Sequence, residues 1–422
     1  MKIKFTWPLI FLLLSSCTVR YSLRIDGVIY NLRKRNYSLA EKAVKKSLKK
    51  GSLLYYLELG TIQHYAKDFK RSNHNFEDAE NLIEELYTRS ISKQTAALFT
   101  SENIKPYRPE DYENVLINYY RAFNYFYLND LEDATVEARK VDEKLERLND
   151  KYKKKNAYRD DAFMEFISGV FHEMSGEYND ALISYKKSYE TFKRDYAKYY
   201  GICVPEFILE SIKRMSIVTG IELFDESIDS IKANPDDGVL LIILEYGLIP
   251  QKRETFTDLW VKTRKGRTKL IRVAFPYLPD TTISLPSIKA KLGNLALPIH
   301  EVEPIYKIAE RNLKDKMDRI VAKAMLRAAV KYGTEAKIES ELRKKYENLS
   351  DIAGFFINIF NVFTERADTR EWATLPATIL VGYQEVPPGN YPVSVFCEGD
   401  TLILDTLKIN KGEIKLIKIR KF

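Results

Sequence analysis

The sequence predicts an α+β protein: an all-helical N-terminal half of repeated helix pairs, then a mixed β-rich half with a few helices. Three observations carry this reading. The stretch Asp161–Glu190 (DAFMEFISGVFHEMSGEYNDALISYKKSYE) reads as two short helices folded back on each other around Gly176-Glu177-Tyr178. Gly169 lies midway along the first, where the second must come close, and Ala181, Tyr185 and Ser188 share one face of the second. A breaker cluster, Asn234-Pro235-Asp236-Asp237-Gly238, is followed by the apolar run Val239–Leu244, which suits a buried strand. Beyond Thr378, short alternating stretches are separated by turn residues.

Gly169, Ala181 and Tyr185 stand at the spacing of a tetratricopeptide repeat. The same spacing recurs in Leu53–Tyr87, where Tyr56, Leu59 and Gly60 open the pair, Lys67-Asp68-Phe69 turns it, and Ser72, Phe76 and Ala79 return. It recurs again in Asn118–Val141, with Ala122 at the small position, Asn129-Asp130-Leu131 as the turn, then Ala134, Ala138 and Val141. Asn36–Lys50 fits the second helix of a degenerate first copy. The polar stretches Thr88–Glu113 and Leu148–Asp160 interrupt the array, so a regular solenoid is not expected.

One repeat cannot bury its apolar face alone, so neighbours stack and their first helices line a concave surface. Tyr119, Phe123, Phe126 and Tyr127, joined by Phe163 and Phe166 from the next copy, would face that surface. An aromatic groove of this kind suits a peptide or helix of a partner protein. The competing expectation is that the insert Thr88–Glu113 or the C-terminal half fills it.

In the β-rich half, Leu270–Phe275 and Thr281–Leu285 are further strand candidates, and the lone glycine of Arg264-Lys265-Gly266 suits a hairpin-like turn. Val302–Tyr332 reads as a long helix, Glu335–Tyr346 as a second, and Ile352–Thr364 as apolar all round and therefore buried. Thr378–Tyr383, Tyr391–Cys397, Thr401–Ile409 and Glu413–Ile419 then predict a closing antiparallel meander.

At 422 residues, 45% apolar and 12% aromatic, the chain can fill more than one core and is not a disordered one. Its 67 Lys+Arg against 59 Asp+Glu interleave, which is the pattern of solvated helix faces and argues against a nucleic-acid stripe. The N-terminus sets the compartment. Lys2 and Lys4 precede an apolar run, Phe5–Leu14, too short to span a bilayer, which ends in Leu14-Ser15-Ser16-Cys17. This resembles the bacterial lipoprotein signal, in which the Cys is acylated and becomes the first residue. The expected parts are a signal peptide over 1–16, a helical repeat domain over 17–232 and a β-rich domain over 233–422. Cys203 and Cys397 fall in different domains and are expected as separate thiols.

Tyr107–Tyr127, Asp130–Arg139, Gly238–Lys252, Arg272–Tyr277 and Ala367–Pro376 together resemble a family of bacterial envelope lipoproteins with tetratricopeptide-like N-terminal halves. The most specific piece is Asp368, Arg370, Trp372, Leu375 and Pro376. The resemblance implies the architecture and an address in the cell envelope, facing the periplasm from the outer membrane. It brings no enzymatic activity.

Candidate chemistry is sparse. His172-Glu173 lacks the second His of a zinc-protease helix, His64 and His74 have no nearby Cys, and the sequence holds neither a Gly-rich phosphate loop nor a G-x-S-x-G elbow. No metal or cofactor is expected. Glu137 with Arg139, and Asp368 with Arg370 beside Trp372, are expected to form ion pairs locking a helix stack and a domain junction. The sequence thus predicts a non-enzymatic, lipid-anchored envelope scaffold that binds another envelope protein through the aromatic groove. The alternative is a factor that binds peptidoglycan or glycan through its β-rich domain, stacking sugars on Trp372, Tyr383 and Tyr391.

Overall fold

The computed structural model describes residues 21–92, 106–152, 158–223, 225–262, 268–279, 283–285, 287–332 and 367–422. The signal segment with Cys17, the helices expected over 335–346 and 352–364, the turn at 264–266 and much of both inserts lie outside the described residues.

Among the described residues, four helix pairs make up most of the first half. They are α1 (Tyr21–Arg33) with α2 (Tyr37–Ser47), α3 (Leu53–Tyr65) with α4 (Phe69–Ser92), α5 (Asp111–Tyr127) with α6 (Leu131–Tyr152), and α7 (Ala162–Met174) with α8 (Tyr178–Thr191). Every turn carries one residue in the left-handed region: Arg35 (φ 55), Lys67 (φ 62), Asn129 (φ 58) and Gly176 (φ 76). The next residue's N–H returns to a carbonyl five residues back in each, as in Asp68 to Gln63 (2.8 Å), Asp130 to Tyr125 (2.9 Å) and Glu177 to His172 (2.8 Å). This shared stop is why the pairs repeat although their sequences have drifted.

The small positions work by contact. A Cβ on Gly60 would lie 2.6 Å from the Phe76 ring, and one on Gly169 would lie 2.5 Å from the Tyr185 ring. The aromatic of each second helix therefore rests on the bare backbone of the first. Ser72 and Ser188 donate to the carbonyls of Gly60 and Ala162, both at 2.7 Å, and fix the same registers. The helices are tetratricopeptide-like pairs. After α8, a π-helical turn at Phe192–Tyr196 leads towards α9 (Glu206–Thr219), which ends on Gly220 at φ 69.

Among the described residues, the β-rich half forms three sheets. β1 (Gly238–Tyr246) lies between β10 (Ile414–Lys421), parallel to it, and β7 (Thr378–Val386), antiparallel; β6 (Ile299–Glu303) completes the order β10-β1-β7-β6. β2 (Arg253–Lys262) and β3 (Thr268–Tyr277) form a separate ribbon. The third sheet has the order β5-β4-β8-β9, from Leu295–Leu297, Ile288–Leu292, Gly389–Cys397 and Asp400–Ile409. The closing meander is therefore corrected. Of the four closing strands only β8 and β9 form a hairpin; β7 belongs to the first sheet, and β10 crosses back to run parallel to β1. A hydrophobic pattern sets which face a strand buries and leaves its neighbour open.

Three more expectations change. Ile283–Leu285, inside the strand expected over 281–285, is not strand. The long helix begins only at Ile305 (α10, Ile305–Tyr332), because Pro304 takes its cap and the preceding residues pair with β7. β2, β4 and β5 are strands that the pattern did not single out.

Alternate residues of β1 enter different layers. Val239, Leu241 and Ile243 join one core with α1–α9, while Leu240 and Ile242 pack with Ala290, Val393 and Val395 of the third sheet. The halves meet near the breaker cluster, but one continuous apolar core runs from Ile25 in α1 to Ile414 in β10. The helical half and the first sheet therefore share this core.

Candidate functional site

The concave face of the repeats is where the two halves meet, and the chain itself fills it. Tyr119, Phe123, Phe163 and Phe166 are all at most 1% exposed, while Phe126 and Tyr127 are half-buried and packed on the same core. The expected open groove is thus corrected: the C-terminal half occupies it. The physical reason is the period-two pattern of β10, which turns Ile414, Leu416, Lys418 and Arg420 towards the helices while its backbone pairs with β1.

Lys418 is the centre of this contact. Its ammonium lies 4.5, 4.8 and 4.6 Å from the ring centroids of Tyr119, Tyr120 and Phe123. It pairs with Glu245 at 2.9 Å and donates to His64 Nε2 at 2.9 Å. With Nε2 accepting, His64 carries its proton on Nδ1 and donates to Asn124 Oδ1 at 2.6 Å. Asn124 in turn donates to Ser72 Oγ and Asn73 Oδ1. Tyr119 donates to Glu245 at 3.0 Å. Burial pulls the Lys418 amine down to about 8 against the pull of Glu245, and burial followed by Lys418's charge holds His64 well below the usual imidazole range. The cage therefore houses the Lys418 cation. Arg420 stacks over Phe422 at 4.1 Å and Tyr65 at 5.3 Å, and donates to the carbonyls of Glu245 and Gly247.

A second junction receives the segment that includes Asp368, Arg370 and Trp372. The Trp372 ring is fully buried, and its Nε1 donates to Thr61 Oγ1 at 2.8 Å. Its backbone N–H donates to Glu113 at 2.8 Å, and those of Ala373 and Thr374 donate to Glu58 at 2.8 and 3.2 Å. Two carboxylates of the repeat helices thereby cap a loop 259 to 316 residues away in sequence. Asp368 and Arg370 pair with each other at 2.7 Å, and the guanidinium lies over the Tyr107 ring at 5.6 Å. Beside them, Glu110 holds Lys252 (2.8 Å) and Lys316 (2.6 Å).

These carboxyls have divergent acidities. Burial raises Glu58 to about 7 despite hydrogen bonds from Thr374, Tyr21 and Ala373, and raises Glu371 to about 8 despite Lys252. Glu110 is half-buried, but Lys252 and Lys316 outweigh its desolvation and hold it well below the usual carboxylate range. A third buried pair, Arg214 with Glu173 at 2.9 Å, ties α9 to α7, and Tyr185 donates to the same carboxylate at 2.7 Å.

The other candidates are structural. Glu137 pairs with Arg121 at 3.0 Å and Lys140 at 2.9 Å, and Arg139 pairs with Glu177 at 2.5 Å, all within or between repeats. Among the described residues, His172, Glu177 and Asp180 are one group whose ligand atoms lie within 4.8 Å of one another. His172 Nδ1 is 2.6 Å from Glu177, whose other oxygen already takes Arg139, so the arrangement clamps the α7–α8 turn. Tyr383 is buried against Phe207 and Tyr391 is half-buried, with its hydroxyl donating to Pro387 O. With Trp372 enclosed as well, two of the three rings expected to stack sugars are internal packing, so the three do not form one open platform. Cys203, exposed, and Cys397, buried, are not joined in a disulfide.

Sequence reasoning missed Lys418, Glu245, Glu58 and Glu113. Lys418, Glu245 and Glu58 interrupt apolar or alternating stretches, as in VLLIILEY and KLIKIRKF, and that interruption was the available signal; Glu113 lies among polar residues and carried none.

Geometry defines the class as a tetratricopeptide-like helical body closed by its own β sheets. No protein-family model matches the chain, and no curated protein matches it. Among solved structures, it is similar to a MamA protein at 14% identity over 49% of this chain and 86% of that one, with a TM-score of 0.30. It is similar to the apo form of RapI at 13% identity over 47% of this chain and 49% of that one, with a TM-score of 0.34. At such values the fold class rests on the chain's own helix pairs and sheets.

Proposed function

We propose that the protein is a non-enzymatic, lipid-anchored scaffold of the bacterial cell envelope that binds another envelope protein. The observation that carries the reading is a body of helix pairs behind the sequence Leu14-Ser15-Ser16-Cys17, which resembles a lipoprotein signal. Several acyl chains on Cys17, at about 0.8 kcal/mol per buried CH₂, would hold the chain on a membrane. Among the described residues no helix is long and apolar enough to cross one. Because β10 fills the concave face, the partner uses the outer surface of the scaffold, and the caged aromatics serve rigidity.

The test is Cys17→Ala in the native host. The variant is expected to take up no labelled palmitate and to leave the membrane fraction on a high-salt wash. Crosslinking in intact envelopes is expected to join the wild-type chain to one protein recovered equally with a Tyr127→Ala chain. Equal palmitate labelling of variant and wild type would contradict the anchor. Crosslinks to nothing but other copies of the chain would contradict the scaffold.

A further inference from the structure

Where β6 meets the last repeat, two buried carboxyls share one hydroxyl. Asp161 is the N-cap of α7, and Glu303 ends β6, next to Pro304 at the start of α10. Tyr196, in the π-helical turn, lies between them, its hydroxyl 2.5 Å from Glu303 Oε2 and 3.2 Å from Asp161 Oδ1. All three residues are at most 1% exposed.

A hydroxyl has one hydrogen to give. Asp161 has two other donors, the Met164 N–H at 2.9 Å and the Tyr158 hydroxyl at 2.8 Å, and it sits at a helix N-terminus, which favours its charge. Glu303 has no second donor. Neither carboxyl forms an ion pair among the described residues, because the charges around them are engaged elsewhere. Asp195 of the π-helical turn pairs with Arg159 at 3.1 Å and Arg194 at 2.7 Å. Glu301 of β6 takes Lys307 of α10 at 3.5 Å and the Thr378 hydroxyl of β7 at 2.8 Å. Lys307 also donates to the Tyr200 carbonyl at 3.0 Å, and Asp315 of α10 pairs with Arg311 at 3.0 Å.

A Glu303 carboxylate would thus be an unpaired buried charge beside a second one, which a low-dielectric interior penalises heavily. With a proton on Glu303, every hydrogen finds an acceptor. The carboxylic acid donates to Tyr196 Oη, and Tyr196 donates on to Asp161, so the chain ends on the one charge that has donors of its own. Burial, then the neighbouring Asp161, push the Glu303 carboxyl well above its ordinary 4.5, whereas Met164, Tyr158 and Tyr196 limit the effect of burial on Asp161 to a rise to about 6.

We infer that Glu303 is held as a neutral carboxylic acid, and that the chain Glu303–Tyr196–Asp161 is a pH-operated clasp between β6 and α7, closed with the proton in place and opened by its loss. On opening, Glu303 gives its proton to water and Tyr196 keeps its own. The clasp rests neither on the acyl anchor nor on the partner, so it can fail separately from both.

The test uses the unlipidated chain beginning at Thr18, which keeps every described residue. Amide exchange is followed in β6 and the first turn of α7, corrected for the intrinsic rate, as pH is raised from neutrality. Above about 4.5 an opened Glu303 has lost the proton that the closed one keeps, so each opening releases one proton. Protection in the wild type is therefore expected to fall about tenfold more per pH unit than in Glu303→Gln, whose amide donates to Tyr196 at every pH. Glu303→Gln is also expected to remove one protonated-carboxyl stretch from the infrared spectrum at neutral pH. The same pH dependence in Glu303→Gln as in the wild type, or no lost carboxyl stretch, overturns the proposal. A Glu303→Gln chain that does not fold overturns it too, since a neutral donor is what the site is inferred to need. So does a pH dependence lost in Asp161→Asn but kept in Glu303→Gln, which would put the proton on Asp161.

Discussion

At the scale of single residues, the molecule depends on charges placed where water does not reach. Lys418 and Glu245 satisfy one another between aromatic faces, so removing either leaves the other buried and unpaired. Lys418→Met is expected to cost about 3–5 kcal/mol in urea unfolding, and Lys418→Met with Glu245→Leu to recover much of it. A single variant as stable as wild type would contradict the buried pair. Phe123→Ala is likewise expected to cost about 3–5 kcal/mol, since it opens a cavity in a filled core. A large loss of partner binding at an unchanged melting temperature would mean the groove is open. Acidity gives a third test. Glu58 and Glu371 keep protons in the folded chain up to about 7 and 8, whereas in the unfolded chain they release them near 4.5. Their contribution is therefore most favourable below about 4.5 and declines as pH rises from there through 7 to 8. Glu80 acts in the opposite sense: Lys144 and Arg121 outweigh its burial and hold it near 2, so its contribution is lost as pH falls from 4.5 towards 2. Melting temperature is expected to fall between pH 5 and 8, less steeply in Glu58→Gln. A rise over that range would contradict the assignment.

At the scale of elements, the repeats were legible because their rules are local. Small residue, turn and returning aromatic lie within a few turns of one another, so the Gly60–Phe76 and Gly169–Tyr185 contacts could be read from spacing alone. Gly169→Ala puts a methyl group into the Tyr185 ring and is expected to destabilise by about 1–3 kcal/mol, measured by thermal unfolding. A neutral effect would mean that α7 and α8 are less closely packed than the spacing implies. The strands were legible as strands but not as neighbours. Alternation in Glu413–Ile419 says which residues face inward, yet pairing with β1 joins positions about 175 apart, and no local feature marks that partner. The same distance hid the site. Spacing alone puts Tyr119 and Phe123 on one helix face, but their cover, Lys418, comes from the last residues of the chain. Asp161, Tyr196 and Glu303 likewise meet only through the fold, and no local pattern joins them.

At the scale of the whole molecule, the helical half and the first sheet are two sides of one core. Glu58 and Glu113 hold Ala373, Thr374 and Trp372 by their backbones, Thr61 holds the indole, and Lys418 enters the helical cage from the far end of the chain. Neither side keeps its buried charges satisfied without the other. The breaker cluster at Asn234–Gly238 is a change of secondary structure within a single cooperative body, and a cut there is not expected to release a stable helical fragment. The most direct measurement is equilibrium unfolding of the Trp260→Phe chain from Thr18, followed by helical circular dichroism and by the fluorescence of Trp372, the tryptophan at the junction. Coincident transitions, both shifted together by Lys418→Met, are the predicted result. A helical signal that persists after Trp372 has become exposed to solvent would contradict the shared core.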